Sequence, residues 1–281
     1  MKENKKTVIV VDDNDSMLAQ FDAALKDHYN VVTASSGNTL FMILKRVEPD
    51  IIVLDIEMPG MDGLEVITEL KANADYSNIP VLFLSGVQNS EIEQKALKLG
   101  GVDFIEKPFS LPIVKNRIGM QLDLQHMKTK KPRDKSNFEH DVKTIIAVDD
   151  TDTFLAQVDS ALKKYHNVLT ASSGEKLFEL LENVTPDVIL LDIEMPEMDG
   201  IEVLSRLKKH NKYSKIPVIF LSGVQNPELE QRGLSMGAVD FIDKYFFSEP
   251  IVNNRVRLQL DLMELKRQNE SAWLGGHVRK N

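Results

Sequence analysis

The chain has 281 residues, 42% of them hydrophobic and 27% charged, and a net charge of -9. That is length enough for two ordinary domains, and the balance is that of a folded rather than a disordered protein. The absence of cysteine excludes a disulfide framework, a cysteine-ligated metal and thiol catalysis. There is no apolar run long enough to span a bilayer and no secretory signal at the start, and the acidic balance opposes nucleic-acid binding through phosphate contacts. A cytoplasmic protein with neither a membrane nor a nucleic-acid partner is therefore expected.

In chain order, short β-branched runs alternate with stretches of helical spacing. VIVV near the start is followed by Leu18, Phe21 and Leu25 on one helical face, then VVT, then Leu40, Phe41, Leu44 and Val47. IIVL precedes Leu64, Ile67 and Leu70; VLFL precedes the weaker set Ile92, Leu97 and Leu99; VDFI precedes Ile113, Val114, Ile118 and Leu122. Five strands alternating with five helices predict a parallel sheet covered on both faces, an α/β doubly wound domain. The whole pattern is then repeated. VIVVDDNDSMLAQ returns as IIAVDDTDTFLAQ, LDIEMPGMDG as LDIEMPEMDG, and FLSGVQN unchanged. Asp12 and Asp149, Asp55 and Asp192, Ser85 and Ser222, and Lys107 and Lys244 all stand 137 residues apart. So long a period makes each copy a domain rather than a solenoid unit.

The expected boundaries are a first domain at 1–125, a basic proline-containing linker at 126–143, a second domain at 144–265 and a tail at 266–281. A Lys-rich linker of this kind is normally a solvated segment, here one whose start can continue the preceding helix. The stretch from Ile251 to Leu265 reads as an amphipathic helix with Val252, Val256, Leu260 and Met263 on one side. It either packs on its own domain or pairs with a second chain in a homodimer.

Ligands of open parallel sheets bind outside the carboxyl ends of the strands. There the sequence gathers Asp12, Asp13, Asp55, Ser85 and Lys107, with Phe104 on the last strand. The second copy supplies Asp149, Asp150, Asp192, Ser222, Lys244 and Phe241. Crowded carboxylates repel one another unless a cation compensates, and a hard cation such as Mg²⁺ suits them. An ammonium and a hydroxyl facing the same spot suit a phosphoryl group, and an Asp carboxylate can itself be the nucleophile. Each residue alone has a plainer use. The Asp pair, Asn14 or Asp15 caps the next helix, Ser85 serves a turn, Lys107 is a solvated lysine, and Pro59 and Gly63 shape a tight connection.

The motifs VVDDND, LDIEMPGMDG, PVLFLSG and GGVDFIEKPF, in this order and spacing, resemble the receiver domains of two-component response regulators, and of the chemotaxis receiver in particular. The resemblance covers nearly all of 7–125 and 144–265. It implies two tandem flavodoxin-like domains, each a five-stranded parallel sheet in the order 2-1-3-4-5 flanked by five helices. By the same resemblance, Asp55 accepts a phosphoryl group from a histidine kinase or histidine phosphotransfer protein. Asp13, Asp55 and the carbonyl of Glu57 hold Mg²⁺ directly, and Asp12 acts through water. Lys107 steadies the phosphoryl oxygens, Ser85 and Phe104 form the switch, and the peptide before Pro108 is cis. In the second copy Asp192 is the acceptor, with Asp149, Asp150, Glu194, Ser222, Phe241 and Lys244 in the matching places. Here the sequence departs from the family: Lys244 is followed by Tyr245, and one residue is inserted.

The function implied is phosphorelay signalling through a phosphorylation-dependent surface for a downstream protein. The chain then acts as a phosphoacceptor with self-catalysed phosphorylation and dephosphorylation, not as an enzyme on a metabolite. Neither a helix-turn-helix nor a diguanylate-cyclase signature follows. Two rivals stand beside this reading. One is a phosphorylation-independent tandem scaffold. The other is an aspartyl-phosphate phosphatase, a family that wants a second Asp where Glu57 and Glu194 stand.

Overall fold

In the computed structural model, residues 5–86, 90–130, 142–223 and 226–277 are described. The chain divides into two compact units, Met1–Leu122 and Asp123–Asn281.

The first unit runs β1 (Thr7–Val11), α1 (Asp15–Leu25), β2 (Asn30–Ala34), α2 (Gly37–Leu44), β3 (Ile51–Asp55), α3 (Gly63–Ala72), β4 (Val81–Ser85), α4 (Ser90–Lys98), β5 (Asp103–Glu106) and the part of α5 (Leu111–Lys130) up to Leu122. Its five parallel strands lie in the order β2-β1-β3-β4-β5. The second unit repeats this with β6 (Thr144–Val148), α6 (Asp152–Leu162), β7 (Asn167–Ala171), α7 (Gly174–Asn183), β8 (Val188–Asp192), α8 (Gly200–Lys209), β9 (Val218–Ser222), α9 (Pro227–Ser235), β10 (Asp240–Asp243) and α10 (Glu249–His277). Its strand order β7-β6-β8-β9-β10 is the same topology.

The central strands are apolar on both faces because successive side chains point to opposite sides of the sheet and helices cover both. Val8, Val10, Ile51, Val53, Leu82 and Leu84 pack with Phe21 and Leu25 of α1 and Val114 and Ile118 of α5. Their neighbours Ile9, Val11, Ile52, Leu54 and Phe83 pack with Leu40, Val66, Ile67, Leu70 and Ala96 on the other side. The weakly patterned fourth helix presents Ala96 to the core, while Ile92, Leu97 and Leu99 are only partly buried against it.

Two helices extend past the expected domain ends. Helix α5 runs to Lys130, five residues into the expected linker, and α10 continues through the expected tail to His277. Residues 131–141 of the expected linker lie outside the described residues. Val252 and Val256 are core residues of their own unit and Leu260 packs against them, so this face of α10 is used internally. Met263 is 36% exposed and does not continue that face. Among the described residues, no helix is long and apolar enough to cross a membrane.

His166, just before β7, stands where the first copy has Tyr29. Its Nδ1 is buried without a hydrogen-bond partner. Burial holds its pKa below the usual histidine value, against the pull of Asp187. The unfolded chain therefore takes up a proton before the folded one does, and stability is lost as the pH falls through the ordinary histidine range and below. His166→Tyr is expected to remove this component from the second unit's denaturant midpoint between pH 7.5 and 5.5. Its slope is at most about 1.4 kcal/mol per pH unit, the value for one proton.

Candidate functional site

In each unit the sheet delivers the predicted residues to one edge. Asp12 follows β1, Asp55 ends β3, Ser85 ends β4 and Lys107 follows β5. Carboxylate oxygens of Asp12, Asp13 and Asp55 lie within 4.8 Å of one another, as do those of Asp149, Asp150 and Asp192. In both triads the first and third members are buried and the middle one is exposed. The Lys107 ammonium donates to Asp12 Oδ2 at 2.9 Å and lies 2.8 Å from Asp55 Oδ2. Lys244 stands 2.7 Å from Asp149 Oδ2 and 2.7 Å from Asp192 Oδ2. The contacts of the second pocket therefore survive the departure at Tyr245. Helix α5 begins four residues after Lys107 and α10 five after Lys244, so the inserted residue is absorbed in the loop before the helix. Lys107–Pro108 is cis, the one cis peptide among the described residues.

The backbone completes the pocket. Asn14 N–H donates to Asp12 Oδ1 at 2.9 Å and Glu57 N–H to Asp55 Oδ1 at 3.4 Å. The second copy has Thr151 N–H on Asp149 at 2.9 Å and Glu194 N–H on Asp192 at 3.3 Å. Of the plainer uses, helix capping falls to Asn14, whose side chain accepts from the N–H groups of Ser16 and Met17. The Asp pair is thus left for the pocket. Asp62 caps α3, forming a reciprocal capping box with Glu65.

Burial raises the pKa of Asp55; hydrogen bonding and charge from Lys107 pull it down, the Asp12 charge raises it further, and the balance lies above the ordinary carboxylate value. Asp192 is raised in the same way, with Lys244 and Asp149 as its neighbours. Burial pulls the Lys107 and Lys244 ammonium groups down, but the hydrogen bonds and charges of their two Asp partners outweigh it and leave both raised.

Ser85 is buried at the end of β4, and Lys107 N–H donates to its carbonyl at 2.7 Å. Phe104 is a buried residue of the core, stacked on Phe83 with ring centroids 5.5 Å apart. Phe241 is likewise buried and lies 5.2 Å from Phe220 at a tilt of 45°. Ser222 is buried at the end of β9.

Three carboxylates face one ammonium, and the donors are hard oxygens with one member open to solvent. That set suits a divalent oxygen-seeking cation that keeps some of its waters. Asp13 and Asp55, with Asp12 beside them, are the residues that could hold it in the first unit. Asp149, Asp150 and Asp192 are their counterparts.

Sequence reasoning missed Arg117, a buried arginine on the core-facing side of α5. It donates to the Phe104 carbonyl at 2.6 Å and to Glu106 at 3.0 Å. Its recurrence as buried Arg255 was the signal available.

A family model described as the response regulator receiver domain matches residues 8–118 and again 145–255. A probable cyclic di-GMP phosphodiesterase of Vibrio cholerae is 38% identical over 122 residues, covering 43% of this chain and 28% of that protein. The response regulator PleD of Caulobacter vibrioides is 23% identical over 251 residues, 84% of this chain and 55% of that protein. Among solved structures, chemotaxis protein CheY4 of Vibrio cholerae is 26% identical, covers 41% of this chain and 97% of its own, and gives a TM-score of 0.40. This chain spans only 28% and 55% of the length of these two curated relatives.

Proposed function

This chain belongs to the response regulator receiver family, carrying the domain twice, and from that premise we propose that it takes up phosphoryl groups on Asp55 and Asp192. The donor is a phosphohistidine of a kinase or phosphotransfer protein, and the product switches a surface for a downstream protein. The observation that carries the reading is the buried acceptor carboxylate, paired with a lysine and flanked by two further carboxylates, at the sheet edge of both units.

An Asp55 carboxylate oxygen attacks phosphorus, the bond from phosphorus to the imidazole nitrogen breaks, and the leaving imidazole takes a proton from water. Lys107 donates to the equatorial oxygens, where charge accumulates in the transition state. Its ammonium already lies within 3 Å of the acceptor, so little reorganisation is needed. The Glu57 N–H and the Ser85 hydroxyl offer further donors at the same edge. Bound Mg²⁺ supplies the charge compensation that lets a dianionic donor approach the acidic pocket. The Ser85 hydroxyl then donates to the new phosphoryl oxygens better in one loop arrangement than in another, and that difference shifts a two-state equilibrium. Phe104, stacked on Phe83 in the core, supplies the volume that has to be exchanged.

The test is intact mass after incubation with acetyl phosphate and Mg²⁺. Two phosphoryl groups are expected on the unaltered chain, one on Asp55→Ala, one on Asp192→Ala and none on the double variant or in the presence of EDTA. Unchanged incorporation in the double variant would place the chemistry elsewhere. No incorporation from acetyl phosphate or from a histidine phosphodonor would leave the tandem scaffold as the function.

A further inference from the structure

The two pockets are not copies in one respect. In the first unit the ring that follows the lysine, Phe109, packs against Phe21 of α1 at 5.1 Å. In the second unit the matching Phe247 packs edge-on against Phe154 of α6 at 5.0 Å. The position matching Phe21 is Val158, and the position matching Phe154 is Met17. The aromatic partner has therefore moved four residues up the helix, one turn toward the strand ends. That turn brings it to the pocket: Lys244 Nζ stands over the Phe154 ring, 5.0 Å from its centroid. Among the described residues no ring stands over Lys107.

We propose that Phe154 is a positioning residue for the second pocket: its ring face, braced by Phe247, holds the Lys244 ammonium beside Asp149 and Asp192. The face of an aromatic ring carries partial negative charge and attracts an ammonium within about 6 Å. The two carboxylates hold Lys244 from one side by hydrogen bonding and charge, and the ring adds a third contact that needs no hydrogen-bond geometry. The same feature explains how the second unit keeps its lysine contacts without the Lys-Pro step and with an added residue. The inserted residue shifts the chain after Lys244, and the Phe154–Phe247 pair supplies a different anchor at that point. The function of the anchor rests on Asp192 being the acceptor; the contact itself does not.

The experiment uses the full chain with phenylalanine 154 replaced by a series of increasingly fluorinated phenylalanines, which drain the ring face of negative charge at nearly constant shape. The first readout is the proton-exchange lifetime of the Lys244 ammonium by ¹⁵N NMR, with Lys107 as the internal reference. The second is the rate of phosphoryl uptake at Asp192 relative to Asp55. The Lys244 lifetime is expected to shorten stepwise, by roughly threefold at full fluorination if the contact has the strength typical of partly exposed pairs. Lys107 is expected to stay unchanged and uptake at Asp192 to fall in parallel. Phe154→Leu should match the end of the series. Insensitivity of both readouts to fluorination would overturn the proposal. A Lys244 lifetime that responds, in a chain whose Asp192 never takes up phosphate, would uphold the positioning and overturn only the acceptor reading.

Discussion

Lys107→Ala is expected to slow phosphoryl uptake at Asp55 by about a hundredfold to a thousandfold, the usual cost of removing one preorganised donor from developing charge. Asp192 in the same molecule should be modified at its normal rate. The ammonium touches both buried carboxylates, Asp12 at 2.9 Å and Asp55 at 2.8 Å, and is only 22% exposed itself. Its loss therefore does more than remove a hydrogen bond to the incoming group. Two carboxylates remain in a poorly solvated pocket without their counter-charge. The Asp55 pKa, already above the ordinary value because of burial, rises further.

The sign for stability follows. A carboxyl whose folded pKa lies above its unfolded one favours the fold below the unfolded value, and that contribution is lost as the pH rises through the folded value. The first unit of the variant should accordingly lose stability relative to the unaltered protein as the pH rises above the ordinary carboxylate value of about 4, and added Mg²⁺ should restore part of it. Lys107→Met, which keeps the aliphatic stem, separates packing from charge and should behave as the alanine variant does. The measurement is site-resolved mass after timed exposure to acetyl phosphate. Uptake at Asp55 within about threefold of normal would remove Lys107 from the proposed chemistry.

The fold was legible because its signal is repeated. Five β-branched runs with helical spacing between them occur twice, and the second occurrence turns each ambiguous run into a confirmed period. Strand order is not contained in that periodicity; it came from the family resemblance, and the two sheets have it. The convergence of Asp12, Asp55 and Lys107 was legible for a related reason. Carboxyl ends of parallel strands all open on one edge, so polar residues that end apolar runs must meet there.

Other features depend on tertiary neighbours. How far helix α5 continues into the expected linker is one of them, because its residues there are polar enough for a linker or a solvated helix alike. Arg117 is buried on the core-facing side of α5, and its carbonyl and carboxylate partners come from β5. Phe154 reads as one of several apolar positions on α6, since nothing in its local sequence says that Lys244 lies beside it. Its difference from Met17 becomes meaningful only when read together with the change from Phe21 to Val158.

Gly63→Ala is expected to destabilise the first unit by about 3 kcal/mol, the upper part of the usual range for forcing atoms into a filled space. In an exposed helix interior the same change would be a gain of about 1 kcal/mol, so the prediction is one of sign as well as size. Gly63 opens α3 directly after the connection from β3, and its N–H donates to the Ile56 carbonyl at 2.9 Å. A Cβ at this position would lie 2.4 Å from the Asp55 carbonyl oxygen and 2.8 Å from Ile56 Cα. Both neighbours are backbone, so no side chain can turn aside to make room. Either α3 is displaced or the end of β3 is, and Asp55, the proposed acceptor, is at that end.

Gly200→Ala repeats the conflict against the Asp192 carbonyl at 2.2 Å and Ile193 Cα at 2.8 Å, and should have the same effect in the second unit. Gly119→Ala is the control. It lies within α5, and its added Cβ would have only the Tyr29 hydroxyl within reach, at 3.8 Å. Its expected effect is stabilising by up to about 1 kcal/mol. Denaturant unfolding of the three variants gives the signs, and the rate of uptake at Asp55 or Asp192 shows which element yields. Slowed uptake in step with lost stability means that the strand end moves. Normal uptake on a weakened fold means that the helix moves and the acceptor edge is held by the sheet. A neutral or stabilising Gly63→Ala would mean that the close approach of α3 to β3 is not what fixes the acceptor.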